Sequence, residues 1–156
     1  MKNLLVLGLG NDILSDDGVG IEVVRRLKKR FHGIEGIDFI ETNEMGLSLL
    51  DFLAGYNHAI IVDSIITGRH KPGTILIFDR GDFNLPSACN PHHMGLDEIL
   101  DLAEKTGIPI PEKIHIVAIE VSDPFTFSEG LTPEVKKALP GVLDTIEKII
   151  RDSSPS

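Results

Sequence analysis

A single cysteine, Cys89, among 156 residues excludes an internal disulfide and any cluster of cysteines around a metal, and suits a reducing compartment. No apolar run approaches the ~20 residues that span a bilayer, so no membrane partner is expected. Lys2 and the LLVLGLG that follows imitate the start of a secretory signal. Asn11, Asp12, Asp16 and Asp17 interrupt it before any cleavage pattern, so the run reads as a buried first strand and the protein as cytoplasmic. Basic charge is scarce too: 15 Lys and Arg stand against 24 Asp and Glu, a net −9. Nucleic acid is therefore excluded as a partner, since neutralising phosphates needs a basic surface. The one basic cluster, at residues 25–30, alternates with apolar positions at helical spacing and reads as a solvated helix face. Also missing are an HExxH helix, a Ser-His-Asp pattern and electropositive neighbours for Cys89.

What is present has the rhythm of an α/β protein. Short runs rich in Val and Ile, at residues 4–9, 36–41, 59–63, 73–78 and 114–120, read as strands; helical periods cover 18–30, 46–54, 96–106 and 133–151. Several strands are nearly all apolar, as in sheets covered on both faces. The link after Asp63, SIITGRHKP, is too short for a crossover helix, which makes the 73–78 strand antiparallel and near an edge. The expected fold is a three-layer α/β/α sandwich with a mostly parallel, roughly five-stranded twisted sheet. One domain spans 1–152, and 153–156 forms a disordered tail. The segment DRGDFNLPSACNPHH, residues 79–93, has no clean period and is long for a structureless connection, as lids and binding loops are.

The stretch LVLGLGNDILSDDGVG opens as dinucleotide-binding folds do. Their fingerprint needs a third glycine for close packing of helix on strand, and Ile13 occupies that position; no Gly-Lys-Ser/Thr follows either. Asp16 and Asp17 would repel a phosphate, so the loop suits a cation or a polar peptide instead. Helix capping is the competing reading for both carboxylates, and it fits Asp16 better than Asp17. Asp63 closes the third strand, where such sheets place their ligands; a turn-forming role is its alternative. His92 and His93, in CNPHHMG, offer a third ligand, and only one of the two can face a given ion. Two carboxylates and one imidazole suit a borderline ion such as Zn²⁺, Ni²⁺ or Mn²⁺.

With GLGNDILSDDGVG, AIIVDSI, PGT at 72–74, NPHHMGL and GLTPEV, nearly the whole chain resembles the hydrogenase maturation proteases. The resemblance implies an endopeptidase that trims the C-terminus of the large-subunit precursor of a [NiFe] hydrogenase. It places the family's two acidic metal ligands on Asp17 and Asp63 and its histidine on His92, and gives these three the catalytic role. It also implies that nickel arrives within the substrate, with other divalent ions able to substitute, and that the free enzyme is a monomer. One departure is ETNEMGLSLL, where the family usually has Gly-Thr: Glu41 and Glu44 there are either additional carboxylates in the cleft or ordinary exposed charge. Two other classes of function compete with the protease: a nickel-handling chaperone without catalysis, and a Rossmann-like nucleotide-binding module.

Overall fold

Apolar side chains alternate through β1 (Lys2–Leu9), and that alternation sets the layers of the computed structural model. The structure describes residues 2–44, 46–79 and 96–153, without the side chains of residues 2, 3 and 97. Leu4 and Val6 enter one core, while Leu5, Leu7 and Leu9 enter the other. The chain continues through α1 (Val19–Arg30), β2 (Ile37–Thr42), α2 (Leu49–Leu53), β3 (Tyr56–Ile65), β4 (Ile75–Asp79), α3 (Leu96–Thr106), β5 (Lys113–Glu120) and α4 (Pro133–Ser153). Strand order is β2-β1-β3-β5-β4, with the first four parallel and β4 antiparallel to β5 at the edge.

Valines and leucines of α1 and α4 cover one face, among them Val19, Val23, Leu27, Leu139 and Val142. Leu49, Leu53, Leu96, Leu100 and Ala103, from α2 and α3, cover the other. Each fully buried aliphatic side chain stabilises the fold by about 1.5–3 kcal/mol, so two such cores hold a sheet of this size without metal or disulfide. The expected three-layer sandwich and its antiparallel edge strand are what the structure has.

Boundaries differ in instructive places. β3 continues past Asp63 because its pairing with β5 runs on to Ile65 and Glu120, so Asp63 lies inside the strand rather than closing it. Gly73 and Thr74 belong to a turn, with the Thr74 amide donating to the Lys71 carbonyl at 3.0 Å, and β4 starts only at Ile75. The helix expected over 46–54 divides into a 3-10 turn, Gly46–Ser48, followed by α2. Ser153 closes α4, its hydroxyl donating to the Ile149 carbonyl at 2.7 Å. The rest of the expected tail, 154–156, lies outside the described residues, as does the long loop beyond Asp79. The basic cluster is also more engaged than a solvated face: Arg30 of α1 reaches Asp144 and Glu147 of α4, both at 3.1 Å, and ties the two helices of one layer. Such exposed pairs contribute roughly 0.2–1 kcal/mol each.

Where α1 crosses the sheet, Gly20 lets it approach. A Cβ there would sit 2.5 Å from the Val62 carbonyl oxygen and 2.6 Å from that of Leu9. Both neighbours are strand backbone and cannot yield cheaply. Gly20→Ala is expected to cost about 3 kcal/mol and to lower the melting temperature by roughly 6–12 °C, as read by thermal denaturation.

At the amino ends of β3 and β5, far from the loops that follow the strands, two histidines meet. His115 lies 3.1 Å from Asp79 through Nε2 and 2.6 Å from His58 Nε2 through Nδ1. If His115 Nε2–H donates to the carboxylate, its Nδ1 must accept, so His58 Nε2–H is the donor of the second bond. Burial, with His115 and Lys113 nearby, pushes His58 down to about 4. The folded state therefore resists a proton that the unfolded chain accepts near pH 6.5, and stability falls as pH drops from about 6.5 through 4. A loss of about 2 kcal/mol across that window is expected after allowing for solvent screening, and His58→Asn should flatten it in urea titrations at the two pH values.

Candidate active site

The loop between β1 and α1 folds on its own polar groups. Asn11 accepts the Ile13 amide on its side chain at 3.2 Å and the Leu14 amide on its carbonyl at 3.1 Å, and the Asp17 amide returns to the Leu14 carbonyl at 3.0 Å. Gly10 makes this possible with φ +146°, a conformation that strains any side chain, and a Cβ there would collide with the Asp17 carbonyl oxygen. A second loop, after β5, takes up the remaining donors. Ser15 and Asp16 amides reach the Ser128 and Asp123 carbonyls, both at 2.9 Å, while the Gly10 amide reaches Thr42 of β2 at 3.2 Å. The amides of residues 10 and 13–17 are thus already bonded to the protein. A phosphate cradle requires such amides to point outward at the ligand, so these six offer it no donor. The close helix–strand packing that a third glycine gives such folds is supplied here by Gly20, further along the chain.

Asp16 and Asp17 then part company. Asp16 is fully buried, and its carboxylate accepts the Ser122, Asp123 and Thr132 amides at 3.0, 2.9 and 2.7 Å and the Thr132 hydroxyl at 2.8 Å. No side chain caps α1 at Gly18; the Asp16 carboxylate instead fixes residues 122 and 123 of the loop after β5 and Thr132, the residue before α4. The GLTPEV segment has its structural reason in this clamp. Ser15, held at φ 46°, is the one non-glycine residue with positive φ among the described residues, and its hydroxyl donates to the Gly130 carbonyl at 3.2 Å.

Asp17 turns the other way, toward β3, and is only 3% exposed. Ser64 joins it to Asp63: the Ser64 hydroxyl donates to Asp17 Oδ1 at 3.2 Å, and the Ser64 amide donates to Asp63 Oδ1 at 2.7 Å. β1 and β3 are neighbours, so the loop leaving one strand and the end of the other meet as the sequence suggested. Two buried carboxylates sharing one serine form a site of negative charge suited to a cation. Glu120, buried at the end of β5, accepts the Thr67 amide at 2.9 Å and also its hydroxyl, and so fixes the segment leaving β3. Ser64 and Glu120 carried no signal in sequence, being ordinary strand residues by type.

His92 and His93 lie outside the described residues, together with Cys89. Among the described residues no group of three His, Cys, Asp or Glu side chains is placed to hold a metal ion. Glu41 is drawn off by Arg25, which donates to it from Nε at 2.8 Å and from the terminal nitrogen at 2.9 Å and also reaches Asp12 at 3.1 Å. Glu44 is exposed, with its amide donating to the Thr42 hydroxyl at 3.0 Å.

A family model described as hydrogenase maturation protease, HycI, matches residues 21–149. The chain belongs to that family. The protease is 29% identical to the hydrogenase 2 maturation protease of Escherichia coli K12 over 154 residues, covering 96% of this chain and 92% of the relative. It is 31% identical to the coenzyme F420 hydrogenase subunit delta of Methanothermobacter thermautotrophicus over 152 residues, covering 92% and 91% of the two chains. Its fold matches the solved structure of the hydrogenase maturating endopeptidase HybD from E. coli with a TM-score of 0.81 at 29% identity, across 97% of this chain and 94% of that one. The protease is thus a hydrolase, and no helix among its described residues is long and apolar enough to cross a membrane.

Proposed function

We propose that this protease hydrolyses one peptide bond near the C-terminus of the nickel-loaded large-subunit precursor of a [NiFe] hydrogenase, acting in the cytoplasm as a monomer. Asp17, Asp63 and His92 recognise the nickel that the substrate carries. The observation that carries this reading is the pair of buried carboxylates joined through Ser64. Carboxylates withdrawn from water favour a cation that replaces their hydration, and a neutral imidazole from the 79–93 loop adds the nitrogen donor that borderline ions prefer. A divalent ion seated there polarises a carbonyl, activates water or orients the chain to be cut. The protein's own share is to hold two oxygens in fixed positions, with Ser64 orienting one carboxylate through its hydroxyl and the other through its amide.

The test is a cleavage assay read by intact-protein mass spectrometry, using nickel-loaded and nickel-free precursor from the same organism. A single nickel-dependent loss of a C-terminal peptide supports the reading. No cleavage of authentic precursors, alongside tight nickel binding by the free protein, replaces it with the chaperone.

A further inference from the structure

Among the described residues two phenylalanines stand largely in solvent, and both are on the loop that follows β5: Phe125 is 72% and Phe127 81% exposed. Ile13 is half exposed beside them, because the Ser128 amide donates to the Ile13 carbonyl at 2.9 Å and Leu14 bridges to Ser128. A lone surface leucine needs no explanation, but paired aromatics on one loop are the composition of a contact surface. The loop carrying them is held in advance. Asp123 accepts the Phe125 and Thr126 amides at 2.9 and 3.0 Å and the Thr126 hydroxyl at 2.5 Å, and Asp16 anchors residues 122 and 123 from below. The cost of ordering the backbone that carries these rings is therefore met before a partner arrives.

Position gives the partner. The loop lies at the carboxyl end of the sheet and is bonded directly to the 10–18 loop that holds Asp17, so the ridge borders the candidate site. Beside it, between α1 and residues 129–131, is a pocket of about 280 Å³ lined by Asp12, Glu22 and Glu129. Asp12 is paired with Arg25, which also binds Glu41, and Glu22 with Arg26 at 2.9 Å, which leaves Glu129 as the lining acid without an ion pair among the described residues. An acidic recess next to an aromatic ridge complements a basic and apolar surface, whereas a second copy of a chain of net charge −9 would set acid against acid.

We infer that the Phe125 and Phe127 ridge, with the acidic pocket beside it, is the docking surface for the protein substrate, seating an apolar patch of the large-subunit precursor flanked by Lys or Arg. This rests on the protease reading. The experiment measures initial cleavage rates against the concentration of nickel-loaded precursor for the wild type, for the double variant Phe125→Ser with Phe127→Ser, for Glu129→Gln, and for Ile34→Ser, an exposed control in the loop before β2. The double variant should raise KM about tenfold with kcat within about twofold, and Ile34→Ser should change neither. Glu129→Gln should raise KM more in low salt than in high. An active wild type with unchanged KM in the double variant overturns the docking surface and leaves the protease reading standing. A wild type that cleaves no precursor removes the reading and the docking surface together. If the double variant only lowers the sedimenting mass of the free protein, the face pairs copies of this chain and the inference is wrong.

Discussion

Asp17→Asn is expected to abolish processing of the precursor, by about 10³-fold or more, while the protein melts within a few degrees of the wild type. The substitution keeps the size of the side chain and an oxygen for the Ser64 hydroxyl, and removes only the charge. His92→Ala should have the same effect on processing, and so should Asp63→Asn, whose remaining oxygen still accepts the Ser64 amide. Precursor mass and thermal denaturation, measured on the same preparations, separate lost chemistry from lost fold. Normal processing by all three variants refutes the assignment; unfolding of Asp63→Asn alone returns that residue to a structural role.

The neighbouring carboxylate should behave in the opposite way. Asp16→Ala removes the buried carboxylate with its four hydrogen bonds and leaves the amides of Ser122, Asp123 and Thr132 and the Thr132 hydroxyl without their acceptor. A loss of about 3–5 kcal/mol follows, equivalent to a melting temperature lowered by roughly 6–20 °C. Urea unfolding measures it directly. Two adjacent aspartates with such different responses, one in activity and one in stability, would distinguish clamp from site; equal stability losses in Asp16→Ala and Asp17→Asn would defeat that division.

Much of this was legible from residue types. Alternating apolar runs gave the sheet, and a linker too short to cross it gave the antiparallel edge. Asp17 comes near Asp63 because β3 pairs with β1 on the side away from β2, and at such a reversal of strand order the loops leaving the carboxyl ends of the strands face one crevice. Three things were out of reach. Ser64 is a small residue in an apolar strand, and its bridging role depends on which way a loop from elsewhere turns. The partners of Asp16 lie more than a hundred residues away, where no local pattern connects them. Gly20 serves a role sought at Ile13, since what matters is where the helix meets the strand rather than a fixed spacing in the loop.

The bonds from Asp16 to Thr132 span 116 residues of chain. Contacts that distant form late, after the strands between them have paired. The turn that presents Asp17 has local bonds of its own, whereas the Asp16 carboxylate waits for residues 122, 123 and 132. During synthesis, then, the growing chain would carry Asp16 without its full set of partners until residue 132 had left the ribosome. A product truncated before residue 132 would lack the Thr132 half of that anchor.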